Sequence, residues 1–219
     1  SYLTLTFIFF VKKNLIFVLL NKKEIIFFCF SIFLCFVLLI DIANHPHLGW
    51  DSQKVWFYKT LNFYNGGTIE SLNVLPAKDD GGNYPYLGSL LWSLYWKISF
   101  YSEEYTGRLL YVFLYIISLF LIVEKLNTSL IKKMIFLIIL ISLSYKYRYF
   151  DGDQDIIIFI LISFLSVIVH NIYKTKNGKR LDSQIFLLIL ICNLLIWTKQ
   201  EGLIYSFIIV FILFFFSKI

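Results

Sequence analysis

The sequence predicts an all-α polytopic membrane protein of about six transmembrane helices, with a large first extracytoplasmic loop that carries interfacial helices. Three observations predict it. Hydrophobic residues make up 59% of the 219-residue chain and charged residues only 16%, outside the range of water-soluble domains. Several apolar runs approach the roughly 20 residues that a helix needs to cross a bilayer. The charges between those runs are sorted by sign. Eleven of the fourteen Asp and Glu fall on one side of the membrane, and twelve of the twenty Lys and Arg on the other.

The elements follow in order along the chain. Ser1–Val11 and Leu15–Leu20 are apolar but short, and Lys12–Lys13 and Lys22–Lys23 interrupt them. Residues 1–24 are therefore expected as an interfacial or clipped N-terminal segment. No basic flank precedes it and no small-residue cleavage site follows, so it does not have the pattern of a cleavable signal peptide. The chain starts without Met and ends just after an apolar run, which suggests the N-terminal fragment of a longer protein. A transmembrane domain is expected over 25–217, opening with a span from Ile25 to about Ala43.

A polar first outer loop, 44–106, comes next. Within it Tyr86–Tyr101 is apolar enough to be mistaken for a span. Ser89, Ser93 and Lys97 repeat every four residues, however, and Trp92 and Trp96 lie beside them, as suits a helix in the headgroup zone started by Pro85. The second span is Leu109–Val123, followed by the basic loop Glu124–Lys133. Met134–Phe150 and Ile156–Tyr173 form a hairpin around an Asp-rich turn. After the basic loop Lys174–Arg180, Gln184–Trp197 and Leu203–Phe216 form another, around Thr198–Gly202. Several spans are short, so tilt or extension into flanking residues is implied.

Charge sets the orientation. Twelve cations against three carboxylates give one side a net charge of +9, and the opposite side carries −3. The positive side should be cytoplasmic, in a plasma (inner) membrane, with the acidic loops outward. The net charge of +6 does not point to nucleic acid, because no basic patch is interleaved with polar surface. Cys29, Cys35 and Cys192 lie inside spans without metal-ligand spacing and read as packing residues.

The outward groups that could carry chemistry are few. Asp51 follows Trp50 and lies near Trp56 and Tyr58. A carboxylate beside apolar rings can serve as a general base, or it can cap the helix that follows. His45 and His47 flank Pro46; two histidines without a third ligand fit a turn better than a metal site. Asp151, Asp153 and Asp155 alternate, a spacing open to a divalent cation such as Mg or Mn; Asp155 alternatively caps the next helix. Lys146 and Arg148 lie one turn earlier and could neutralise these carboxylates or hold a lipid phosphate. Lys199 and Glu201, in a turn between two apolar runs, read either as functional charges or as snorkelling ones, and Arg108 has the same two readings. Asp79, Asp80, Glu103 and Glu104 are expected as solvated loop.

In order, these segments resemble the GT-C superfamily of membrane glycosyltransferases, in the branch of bacterial protein O-mannosyltransferases and the aminoarabinose transferase of lipid A. The resemblance rests on Gly49–Trp50–Asp51 with Trp56 and Lys59, on Asn83–Tyr84–Pro85–Tyr86–Leu87, and on Glu104–Tyr105–Thr106–Gly107–Arg108–Leu109. It continues with Gly152–Asp153–Gln154–Asp155–Ile156 and Trp197–Thr198–Lys199–Gln200–Glu201–Gly202–Leu203. It covers about 25–216.

The resemblance implies sugar transfer from a polyprenyl-phosphate-linked donor to a glycan, lipid or protein acceptor, among membrane lipids and without nucleic acid. It makes Asp51 the catalytic base and Asp155 a second catalytic carboxylate. Lys199, Arg108 and Arg148 would hold the donor phosphate, and Tyr84, Trp50 and Glu201 would line the cleft. A cation, if used, would sit at Asp153 and Asp155. Ser52 stands where the family usually has a second acid, which weakens a paired-acid or metal site in that loop. The further spans and outer domain of full-length relatives are lacking, which leaves an inactive membrane scaffold of the same fold as one alternative. A transporter or flippase is another, but it predicts inverted hydropathy repeats and helix-breaking Pro within spans. All three prolines, Pro46, Pro76 and Pro85, lie in the first outer loop.

Overall fold

The computed structural model describes residues 22–72, 85–99, 101–174 and 178–216. Tyr84, Asp79, Asp80 and nearly all of the expected N-terminal segment lie outside them. Among the described residues every regular element is helical.

Helix α1 (Lys22–Asn44) is apolar from Ile25 to Ile40 apart from Ser31. It stops ahead of Pro46, whose ring disfavours helix at the preceding residue. A single π-helical turn, Ser52–Trp56, leads into α2 (Phe57–Tyr64), and the short α3 (Ile69–Leu72) follows. Next come α4 (Leu87–Ile98), α5 (Tyr105–Glu124) and α6 (Leu130–Ser144), the last continued by a 3-10 turn at Tyr147–Phe150. Helices α7 (Asp155–Lys174), α8 (Gly178–Thr198) and α9 (Glu201–Phe216) complete the described chain.

Four segments are long and apolar enough to cross a membrane: Lys22–Asn44, Tyr105–Glu124, Asp155–Lys174 and Leu181–Thr198. Glu201–Leu213 is apolar but shorter. The architecture is that of an all-α membrane protein.

Helix α5 is the hub. It packs against α1, α4, α6 and α7, while α7 carries α8 and α9 on its other side. Tyr111, Val112, Tyr115, Ile116, Leu119 and Val123 are buried along it. Lipid is as apolar as these side chains, so close packing and interhelical hydrogen bonds must hold the bundle together. Tyr115 Oη lies 2.6 Å from Ser144 Oγ between α5 and α6. Tyr145 Oη donates to Asp41 Oδ2 at 2.6 Å, joining the exit of α6 to the C-terminal end of α1. Ser31 and Ser144 return their hydroxyls to the carbonyls of Phe27 and Leu140, so neither leaves a polar group bare within the bundle.

Helix α4 forms where the sequence places it, two residues after Pro85, but with the opposite face inward. Ser89, Ser93, Trp92 and Trp96 are buried, and Leu90, Leu94 and Ile98 are exposed. The cause lies in the polar edges of those side chains. The Trp92 indole N–H donates to the carbonyl of Glu104, that of Trp96 to Ser102, and the Ser89 hydroxyl to Trp56. All three acceptors belong to neighbouring protein segments, so the face that carries the Ser and Trp side chains turns into the fold.

A candidate active site at one end of the helix bundle

Three chain segments far apart in sequence meet at this end: the turn after α1, the Asp-rich turn after α6, and the start of α5. Arg108, one turn into α5, joins them. It is fully buried, and its donors meet five protein oxygens. The Glu104 carboxylate accepts from Nε at 3.2 Å and from Nη2 at 2.8 Å. The carbonyls of Pro46 (2.5 Å), Phe150 (2.9 Å) and His47 (3.4 Å) take the rest. A guanidinium has five N–H donors, so none is left over in this arrangement for a ligand phosphate. Glu104, expected in solvated loop, is instead half of this partly buried pair. Burial pushes its pKa up, and the Arg108 charge and hydrogen bonds pull it back only in part.

The turn after α1 is stitched to the Asp-rich turn through its backbone. Gly49 N–H donates to the carbonyl of Asp151 at 3.1 Å. His45 uses Nδ1 against the Asp41 carbonyl at 2.9 Å and stacks on Tyr147 at 4.8 Å, so the His45–Pro46–His47 segment is a packed turn. Asp51 has helical backbone angles and makes no capping hydrogen bond; its side chain and that of Trp50 are exposed. Ser52 is buried. Lys59 is buried 5.3 Å from the Trp56 ring centroid, and desolvation lowers its pKa to about 8.

Gly152 lets the Asp-rich turn close. It holds φ +101°, and a Cβ built there would lie 2.7 Å from the Trp92 ring. Gly152→Ala should therefore cost about 2–4 kcal/mol, from left-handed backbone strain plus a displaced ring. Thermal unfolding in detergent measures this, and an unchanged midpoint would refute it.

The three aspartates of the turn have different partners. Asp151 packs on Gly49. Asp153 Oδ1 accepts from the backbone N–H of Gln154 at 2.7 Å. Asp155 reaches across to Lys199 at the α8–α9 turn, with Nζ to Oδ1 at 2.6 Å. Asp155 therefore bonds a distant lysine where local capping was the alternative. Among the described residues no three His, Cys, Asp or Glu gather as a metal site.

Burial is the main cause raising the pKa of both Asp151 and Asp153, with Asp153 adding to Asp151, and Asp155 and the Asp51 charge adding to Asp153. Lys199 is pulled down by burial, but its bond to Asp155 and the charges of Asp153 and Glu201 outweigh that and leave it raised. Asp51, Asp153, Asp155, Lys199 and Glu201 thus share one electrostatic neighbourhood. Arg148 is exposed with its guanidinium over the Tyr147 ring at 5.9 Å.

The raised carboxyls carry a pH signature. In the folded state Asp151, Asp153 and Glu104 hold protons more tightly than in the unfolded chain. Their protonation therefore stabilises the fold fully below the unfolded carboxyl range, and this is lost as pH rises through the folded values. The unfolding midpoint should rise as pH falls from 7 through the folded carboxyl values, and Asp151→Asn should raise it at pH 7 and flatten the profile. A midpoint falling steadily over that interval in wild-type protein would contradict the assignment.

Beside this cluster lies a half-open apolar groove of about 330 Å³ lined by Ser144, Tyr149, Asp155, Ile156 and Phe159. Asp155 is its one charged lining residue, and Lys199 bonds to Asp155. Comparison of the chain with protein-family models, curated proteins and solved structures finds no match.

Proposed function

We propose that the protein is an inner-membrane glycosyltransferase that moves a sugar from a polyprenyl-phosphate-linked donor to an extracytoplasmic glycan, lipid or protein acceptor. The observation that carries this reading is the Lys199–Asp155 pair at the rim of the apolar groove. An isoprenoid chain suits the groove between Tyr149, Ile156 and Phe159. Its phosphate then reaches Lys199, with Arg148 exposed nearby and Asp155 released from the pair. Six spans complete the reading, with α6 and α9 as the two short ones and the acidic turns outward.

In the reaction, the acceptor hydroxyl attacks the anomeric carbon. Asp51 takes its proton, the new carbon–oxygen bond forms, and the bond to the phosphate oxygen breaks. The electron pair leaves on the lipid phosphate, where Lys199 stabilises the growing negative charge. Arg108 holds the floor of the site by joining its three segments.

Proteoliposomes supplied with hexosyl or pentosyl polyprenyl-phosphate donors test the proposal. Transfer should occur in wild-type protein, and Lys199→Ala should slow it by about 10²–10³-fold. Full turnover in folded Lys199→Ala protein would refute the reading. So would solute movement across the vesicle without transfer, the behaviour of a transporter.

A further inference from the structure

The end of the bundle away from Arg108 carries a second site, of mixed charge and independent of any sugar chemistry. The start of α1, the end of α5 and the start of α6 meet there around a cavity of about 160 Å³. That is room for about five water molecules. Its walls are Lys23 and Glu24 of α1, Glu124 of α5 and Lys133 of α6, beside the apolar side chains of Phe27 and Leu130. Helix α5 has 20 residues and is about 30 Å long, the thickness of a hydrocarbon core. Glu124 ends it, so the cavity lies at the headgroup level of the leaflet opposite the one at Tyr105.

The cavity is lined by two ammoniums and two carboxylates. Lys133 Nζ donates to Glu124 Oε1 at 2.8 Å and to the Glu124 carbonyl at 3.2 Å. An ammonium has three donors, so one remains on Lys133. Among the described residues, Glu124 Oε2 accepts no hydrogen bond. The pair is only 16% and 30% exposed, and it keeps one donor and one acceptor in reserve beside the same cavity. A purely anionic ligand would lie against Glu24 and Glu124, and a purely cationic one against Lys23 and Lys133. Like charges brought together in a partly desolvated site repel strongly. A zwitterion meets a counter-charge at each end. From this level exposed apolar side chains run along both helices into the membrane, Ile25 and Phe28 on α1 and Ile131 and Ile135 on α6.

We propose that the cavity binds the headgroup of an aminophospholipid of the phosphatidylethanolamine type. Lys23 and Lys133 bond its phosphate, and Glu124 and Glu24 its primary ammonium. The acyl chains lie on the exposed side chains of α1 and α6. A choline headgroup has no N–H to give the carboxylates, and a glycerol headgroup has no positive charge for them. Soluble phosphoethanolamine has the same polar chemistry, but it has no use for the apolar flank.

Native mass spectrometry of the full chain in mild detergent tests this, with phosphatidylethanolamine, phosphatidylcholine and phosphatidylglycerol of identical acyl chains. Phosphatidylethanolamine should be retained several-fold more than either of the others. Glu124→Gln releases Lys133 and removes one carboxylate, so it should turn the preference toward phosphatidylglycerol, a change that a merely structural pair would not produce. Glu24→Gln, in the first turn of α1, should reduce the preference several-fold and decides the matter if Glu124→Gln does not fold. Equal retention of the three lipids by wild-type protein overturns the proposal. So does an unchanged preference in folded Glu24→Gln protein, which would put the lipid elsewhere. Soluble phosphoethanolamine at millimolar concentration should leave the lipid bound, and its complete displacement would overturn a lipid occupant in favour of a soluble one.

Discussion

Arg108→Ala should be the most damaging single substitution in the protein, destabilising it by about 3–5 kcal/mol. The loss is of one whole junction. The guanidinium ties Glu104 to the carbonyls of Pro46, His47 and Phe150, and all of these would lose their donor together. Glu104 would keep a partly buried charge without its counter-ion. Total stabilities run at about 5–15 kcal/mol, so this is a large fraction of the whole. Lys should not rescue it, because one ammonium cannot reproduce a planar fork with five donors. Arg108→Lys and Arg108→Ala should both lower the thermal midpoint in detergent and expose the 45–50 and 150–154 segments to protease. Glu104→Gln should cost less, since the amide oxygen still accepts one bond and three backbone carbonyls still hold the buried Arg108 guanidinium. A wild-type midpoint in Arg108→Ala would remove the arginine from its place as the strut joining the three segments.

Asp51→Asn should have the largest effect on turnover while leaving the fold intact. Loss of a positioned general base lowers rates by about 10²–10⁴-fold. The Asp51 carboxylate is exposed and caps no helix, so the amide should replace it without a structural cost. The expected result is an unchanged unfolding midpoint, little change in KM for the donor and a collapsed kcat. The contrast with Lys199→Ala is informative, because that variant should also weaken donor binding. Folded Asp51→Asn protein with full transfer would exclude Asp51 as the base, even if the sugar-transfer reading stood. A collapse of the midpoint together with activity would assign Asp51 to structure.

The apolar runs were legible because their signal is local. Expected spans at Ile25–Ala43, Leu109–Val123 and Ile156–Tyr173 correspond to α1, α5 and α7 within a few residues. The run Met134–Phe150 reads as one span in the sequence, but it is a helix to Ser144 followed by a 3-10 turn at Tyr147–Phe150. Aromatic residues continue through Tyr145–Phe150 between Lys146 and Arg148, while the extended backbone at Tyr145 breaks the helix so that its hydroxyl meets Asp41. The partners of the charged residues were harder to read. Arg108 and Lys199 look alike in sequence, each a cation at the end of a span. Arg108 is sealed by protein oxygens, whereas Lys199 bonds one carboxylate, Asp155, which lines the groove. Glu103 and Glu104 are adjacent and identical in type, yet Glu104 makes the bidentate bond to Arg108 one helical turn later. That spacing was available as a signal, and it became informative only once the arginine was known to be buried.

The sequence by itself determined that this is an all-helical membrane chain and that its acidic residues concentrate in a few connecting segments. Both follow from runs of side chains whose transfer into lipid is favourable or costly whatever their neighbours. The tertiary structure alone decided which face of α4 turns inward, which carboxylate meets Lys199, and that Arg108 is a strut. These depend on hydrogen-bond partners separated by tens of residues. A buried polar group takes whichever acceptor the packing brings within about 3 Å, and no local pattern encodes that choice.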